Sequence, residues 1–321
     1  MFAENWQVIR KEFRWHNSST KRLAALLYAI DNKSINCLAI KDCLSLIKSN
    51  TGIFSTFRGN MALCIATMLS LKENRDELFW RTITVFEMLR KEKYRVSDYL
   101  AVAAYEIAVN AKPEEYQQIV IRTRAFYNRF KASGFLLRCA DHHIFFAMLG
   151  LSDINIENGT DKIELLCRRF KSDFSPRKSV QKLVYTLLLG GESDRIVSRV
   201  LDLRNALKNR KIRFDKIHTL PSLGILALLP MDIDTIVRDL EDAVTFLKTQ
   251  KGFGLFSITK QELLLFAAGI VASVYAEEIK NDLIATSTAT SIASIIIAQQ
   301  TAAITTVVVA SAASSASARG K

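Results

Sequence analysis

The sequence predicts an all-α protein of about six or seven helical pairs, stacked as an open α/α superhelix or a closed α/α ring. Three observations carry this. One phrase recurs about every 40 residues: a helix closing on a bulky apolar residue and a Lys or Arg, an aromatic or aliphatic anchor, then a helix of small and aliphatic residues. The anchors Phe54, Tyr94, Phe135, Phe174, Ile217 and Phe253 lie 40, 41, 39, 43 and 36 residues apart, inside the period of roughly 20–50 residues typical of stacked helical units. Only four prolines interrupt 321 residues rich in Leu, Ala, Ile and Lys, which favours helices over strands. The length exceeds what one core usually serves, and a repeat removes that limit because each unit packs on its neighbours.

In chain order, residues 1–20 predict a first helix with Trp6, Ile9, Phe13 and Trp15 on one face. Residues 21–50 read as two short helices broken at Asp31-Asn32-Lys33-Ser34. Inner helices follow at 57–71, 97–110, 140–151, 177–189, 221–229 and 260–276, with alanines such as Ala62, Ala66, Ala101, Ala104, Ala147 and Ala267 at close-packing positions. Outer helices fall at 75–92, 114–132, 161–171, 193–210 and 232–251 and carry the wider polar face of a surface helix. Pro113, Ser193-Asp194 and Asp232 are start signals, and Gly52, Gly134, Gly190-Gly191 and Gly252 fall at helix ends. The domain reading is N-terminal capping helices over 1–52, the array over 53–278, and an Ala/Ser/Thr-rich helix and tail over 279–321.

That last segment has no charge from Leu283 to Ala318. It is long enough to span a bilayer, but Gln299-Gln300 sit at its middle and no Trp or Tyr marks an interface. The expectation is a small-residue helix packed on the last repeat, with a membrane anchor as the alternative. The N-terminus shows no uninterrupted apolar core of a signal peptide. Cys37, Cys43, Cys64, Cys139 and Cys167 are odd in number, form no CxxC and sit on apolar faces. Buried free thiols in a reducing cytoplasm are the expected state.

The formal charge is +12, from 44 Lys and Arg against 32 Asp and Glu. Between residues 168 and 216 there are 14 basic residues and 5 acidic ones. Such a patch attracts phosphates, nucleic acid or anionic lipid. Its basic residues alternate with Ile196, Val200, Leu203 and Leu207 at helical intervals, as on an ordinary outer face, and no aromatics interleave for base stacking. Nucleic acid is therefore not the expected partner.

No zinc spacing, phosphate-binding loop, dinucleotide fingerprint or nucleophile elbow occurs, so no metal and no cofactor is expected. The densest polar cluster is Arg138, Asp141, His142 and His143, opening an inner helix. Arg58 and Asp98 hold comparable positions in other units, so Arg58, Asp98, Arg138, Asp141 and His142 form the candidate rim site. An Asp–His pair there can bind a metal or move a proton. The alternative is that Ser97, Asp141 and Ser175 merely cap helices.

The phrases IFSTFRGNMALCIATML, YRVSDYLAVAAYEIA, GFLLRCADHHIFFAMLGL, SVQKLVYTLLLGG, TLPSLGILALLPMD, KGFGLFSITKQELLLFAAGIVAS and IIIAQQTAAITTVVVASAA resemble the domain of unknown function 4003 family. The resemblance covers nearly the whole chain and implies a cytoplasmic bacterial protein of unknown activity. Members of that family typically carry two acidic residues where this chain has Asp141-His142, and a His where it has Tyr185. A shared catalytic role does not carry over to those positions.

The reading is a non-enzymatic scaffold that holds a protein or peptide on a concave face. An enzyme with a site around Asp141 and His142, and a binder of nucleic acid or anionic lipid through 168–216, are the alternatives.

Overall fold

A computed structural model of the chain describes residues 1–132, 142–175, 177–191, 195–216, 219–254, 257–282, 297–298 and 300–308, without the side chains of 177–178 and 276–282. All regular structure among these residues is helical. The elements are α1 (Phe2–Glu12), α2 (Ser18–Ile30), α3 (Cys37–Asn50), α4 (Ala62–Ser70), α5 (Arg75–Lys91), α6 (Asp98–Asn110), α7 (Tyr116–Ala132), α8 (His142–Leu151), α9 (Ile156–Phe170), α10 (Arg177–Leu189), α11 (Ile196–Asn209), α12 (Leu220–Leu228), α13 (Ile233–Thr249) and α14 (Lys260–Asp282). Residues 300–308 are also helical.

Short polar side chains set the starts. Ser97 Oγ accepts from Leu100 N–H at 3.3 Å and opens α6; Asp232 Oδ1 accepts from Thr235 N–H at 2.8 Å and opens α13. Asn155 Oδ1 accepts from the N–H groups of both Glu157 and Asn158, so α9 begins at Ile156, five residues before the expected 161. The first predicted helix breaks at 13–17, because Asn17 caps a new helix through Ser19 N–H at 2.8 Å. Trp6, Ile9 and Phe13 are buried as expected, whereas Trp15 lies in the break and is fully exposed.

The anchors divide. Tyr94, Phe174 and Phe253 are buried, but Phe54 is wholly exposed. Ser55 N–H closes a turn on Gly52 O at 3.0 Å, which puts Ile53 and Phe54 at its tip. Phe57 takes the buried place and meets Phe86 edge to face at 5.0 Å. Phe135 and Ile217 lie outside the described residues. Helix ends also use left-handed residues other than glycine: Asn32, Lys93 and Lys211 have φ near +51°, +60° and +59°. After each, the next N–H reaches back five residues, as Ile212 N–H does to Leu207 O at 2.9 Å.

The chain forms two compact units. Unit 1 holds Met1–Arg124, Arg138–Leu151 and Thr301–Lys321; unit 2 holds Ala125–Leu137 and Ser152–Gln300. In unit 1, α2 packs on α1 and α4, α4 on α3 and α5, and α6 on α5 and α8. In unit 2, α10 packs on α9 and α12, α12 on α11 and α14, and α13 on α11 and α14. Burial separates two classes of helix. α6 is buried without a break from Tyr99 to Ala108, and α12 from Leu220 to Ala227. By contrast α13 buries only Ile236, Val237, Leu240 and Leu247. A helix buried all round is interior and one with a single apolar stripe is outer.

One device occurs in both units. Arg81 of α5 donates from Nη2 to Ala108 O at 2.8 Å and Ala111 O at 2.6 Å, satisfying the free carbonyls at the end of α6. Arg199 of α11 does the same for α12, with Nε to Ala227 O and Nη2 to Leu229 O, both at 2.7 Å, and a further bond to Met231 O.

The C-terminal segment takes an unexpected position. In unit 2, Gln300 Nε2 donates to Leu265 O of α14 at 3.2 Å. Residues 301–308 instead belong to unit 1. Tyr99 OH at the start of α6 donates to Thr306 Oγ1 at 3.0 Å, and Thr301 lies beside the Cys64 thiol of α4. Thr301, Ala302, Ile304, Thr305 and Val308 are buried. Small side chains permit this close approach; the segments 283–296 and 309–321 lie outside the described residues. No helix among the described residues is long and apolar enough to cross a membrane.

Candidate functional site

Of the five rim residues, Arg138 and Asp141 lie outside the described residues, and Arg58, Asp98 and His142 all belong to unit 1. A 3₁₀ turn, Thr56–Arg58, started by Ser55, sets Gly59 against the first residue of α6. A Cβ on Gly59 would lie 3.0 Å from Asp98 Oδ1, a tight contact from which the carboxylate would have to draw back by a few tenths of an ångström. Burial alone raises the Asp98 carboxyl above its ordinary value. Arg58 turns elsewhere: its Nη2 donates to Lys48 O, while its Nε is buried without an acceptor. His142 is buried at the start of α8 with its ring 6.2 Å from Phe146, and His143 meets Tyr94 edge to face at 5.2 Å. The turn thus brings the Arg58–Gly59 backbone to Asp98 but sends the guanidinium to a helix end.

Deeper in unit 1 lies a polar group the sequence reading passed over. Glu106 is buried in α6 with Oε2 3.4 Å from Asn110 Nδ2 and Oε1 without a partner. Desolvation pushes its carboxyl up to about 8, so it is protonated at neutral pH. The fully buried Cys64 thiol, which Glu106 acts on electrostatically, is pushed up to about 12 and is inert as a nucleophile. A lone Glu in the apolar run DYLAVAAYEIAV is the signal that could have found this group. Cys43, Cys64 and Cys167 are buried free thiols and Cys37 is half-buried; Cys139 lies outside the described residues. No group of His, Cys, Asp and Glu that could hold a metal occurs among the described residues.

Unit 2 carries the basic stretch, and the structure sorts its charges. Arg199 is consumed in capping α12. Arg204 stacks on Phe174 at 5.0 Å and pairs with Asp173 at 3.5 Å, and Arg168 pairs with Glu164. What remains gathers at the turn after α11. A cavity of about 250 Å³ there is lined by Lys208 and Arg213 with the Arg204–Asp173 pair and Asp215. Beyond Ile212 a larger one, about 760 Å³, lies between that turn, α13 and the start of α14. Arg210, Lys211, Lys248 and Lys260 line it, with Glu241 as the one carboxylate, 3.5 Å from Arg210. Phe253, Ile258, Leu263 and Leu264 supply its apolar wall. Lys248 and Lys260 lie outside the 168–216 patch and join it only through the turn between α13 and α14, so composition along the chain gave no sign of them.

A family model described as "Protein of unknown function (DUF4003)" matches residues 5–301. The chain belongs to this family. No curated protein and no solved structure matches it. For this DUF4003 chain, chemistry must therefore be read from the sites themselves. The matched region takes in the rim residues, Glu106 and both cavities of unit 2, and it ends at Thr301, within the helical segment 300–308.

Proposed function

We propose that this DUF4003 chain is a non-enzymatic binding protein, an array of helical pairs with a period near 40 residues, that takes a small amphipathic anion into the cavity of unit 2. The observation that carries this reading is the lining of that cavity: four cations and one carboxylate above a wall of Phe, Ile and Leu. Its size suits a small ligand, since such sites run to roughly 300–1,000 Å³ with few polar groups fixing orientation. The cations attract a carboxylate or phosphate head, and the apolar wall accepts a hydrocarbon portion.

The alternation of buried and striped helices and the shared Arg81 and Arg199 caps support the array. The inner surface of α4 and α6, where a peptide-holding scaffold would offer its groove, meets residues 301–308 of the same chain. That favours the basic cavity over a concave peptide groove as the ligand site.

A dansylated medium-chain carboxylate serves as probe, with its neutral amide as control. Saturable fluorescence enhancement is expected for the acid, falling at least about tenfold in Lys248→Glu/Lys260→Glu, in line with a loss of about 1.4 kcal/mol or more. Equal binding of the amide, or an unchanged affinity in the variant, would overturn the reading.

A further inference from the structure

Beyond the end of α3 the chain of unit 1 turns back through Gly52-Ile53-Phe54-Ser55, closed by the bond from Ser55 N–H to Gly52 O at 3.0 Å. Ile53 and Phe54 hold the two central positions, where turn chemistry ordinarily places Gly, Pro, Asn or Asp. Ile53 is 77% exposed and Phe54 wholly so. Single apolar side chains are ordinary on a surface, but the turn itself does not require two adjacent ones at its tip. The residue expected to anchor the repeat inward thus projects into solvent.

The polar groups beneath the tip are already satisfied. A helix leaves free carbonyls at its end, and those of α3 find local donors. Asn50 Nδ2 donates to Leu46 O at 2.9 Å, Thr51 Oγ1 to Ile47 O at 2.7 Å, and Arg58 Nη2 to Lys48 O. On the other side Ser55 Oγ accepts from Phe57 N–H at 3.3 Å, and the buried Phe57 ring, 5.0 Å from Phe86, holds the base. Moving the tip out of water strands none of these three carbonyls, which matters in a medium that offers no hydrogen bonds.

Cations flank the tip. Lys48 is exposed at the end of α3, and Arg58 is half-buried at the base of the turn. The 3₁₀ turn Thr56–Arg58 packs on α6, and the loop leading into α6 carries exposed Lys93, Arg95 and Val96. No acid among the described residues pairs with Lys48, Arg58, Lys93 or Arg95. Glu87 of α5 is taken by Arg90 at 2.9 Å, which leaves Glu92 and the half-buried Asp98 as the acids of this rim.

We propose that this rim is a docking surface for an anionic lipid bilayer. Ile53 and Phe54 enter the boundary between headgroups and acyl chains, and Lys48, Arg58, Lys93 and Arg95 face the anionic headgroups. Apolar insertion combined with electrostatic attraction holds peripheral proteins on membranes and needs no spanning helix. The charge of the rim selects anionic over neutral lipid. Its shape selects a bilayer over a protein, because a two-residue tip falls far short of the roughly 1,200–2,000 Å² of a stable protein interface, whereas lipid yields around it. The surface is independent of the unit 2 cavity and of the function proposed for it.

The test is co-sedimentation of the full chain with phosphatidylcholine vesicles, alone or with about 30% phosphatidylserine. Binding to the anionic vesicles should exceed binding to the neutral ones by at least about tenfold and fall steeply with salt. Ile53→Ser/Phe54→Ser should lower it at least about tenfold, as should Lys93→Glu/Arg95→Glu, with both proteins keeping the wild-type Tm within about 1–2 °C because the sites are exposed. Lys248→Glu/Lys260→Glu and Trp15→Ser, an exposed aromatic outside the rim, should bind as the wild type does. Equal binding to neutral vesicles, or undiminished binding by Ile53→Ser/Phe54→Ser, would overturn the proposal. So would a dimer in size-exclusion chromatography that the same variant disperses, since the tip would then be an interface between copies.

Discussion

The phenol of Tyr99 donates to Thr306 Oγ1 over 3.0 Å, joining the start of α6 to a segment 207 residues later in the chain. Burial of Ala302, Ile304 and Val308 beside this bond makes the late segment part of the unit 1 core. Ile304→Ala should therefore cost about 2–4 kcal/mol, from lost transfer energy and the cavity left behind. Val274→Ala, at an exposed site on α14, should stay within about 0.5 kcal/mol. Urea midpoints of the two variants compare them directly; equal shifts would show that 301–308 adds nothing to the core.

Glu106 gives unit 1 a pH dependence of a definite sign. Its carboxyl stands at about 8 when folded against an ordinary 4.5. Between those values the folded chain holds a proton that the unfolded chain has released, so stability falls as pH rises through the window and levels off above it. Glu106→Gln should flatten this contribution and exceed the wild type at pH 8.5 by about 2–5 kcal/mol. Urea unfolding at pH 5.5 and 8.5 measures it, and an equal drop in both proteins would rule out Glu106 as the cause.

Gly150 of α8 meets α7 with no room to spare: a Cβ there would lie 2.1 Å from Thr123 Oγ1 and 3.1 Å from Ile119 O. Gly150→Ala should cost about 1–3 kcal/mol through overpacking. Adding Thr123→Ala removes the nearer atom and should restore part of that loss. A double-mutant cycle reads the coupling, and strict additivity would place the strain elsewhere.

Arg81 and Arg199 each hold several carbonyls at the end of an inner helix. Arg81→Met and Arg199→Met should each lose about 1.5–3 kcal/mol, the range for hydrogen bonds to a charged group. Lysine should recover little at either site, because an ammonium lacks the planar fork that reaches two carbonyls at once. Thermal unfolding of the four variants tests this; full rescue by lysine would mean that charge alone matters.

The helices after residue 50 were legible because apolar spacing, caps and loop residues all agree locally, as at Ser97 and Asp232. The rest depended on geometry that one stretch of sequence does not encode. Phe54 and Phe57 are equally good anchors on paper, and the turn closed by Ser55 N–H decides between them. Lys93 and Lys211 adopt a conformation for which glycine is the usual marker. Of the rim residues, Asp98 could be placed at a helix start from Ser97 alone, but nothing nearby said that Arg58 would turn toward Lys48 O. The uncharged C-terminal segment offered packing on the last helix or insertion in a bilayer. Its partners Tyr99 and Cys64 are two hundred residues earlier, beyond any local pattern.

The assignment of 301–308 to unit 1 also sets an order of events during synthesis. On the ribosome α4 and α6 emerge early, yet the segment that covers them is made only after every residue of unit 2. The first half of the chain must wait, with apolar inner surface uncovered, while the second half is completed. Translation that stops before residue 301 leaves that surface open, so truncated chains should be drawn to chaperones or aggregate even though nearly all their helices are present.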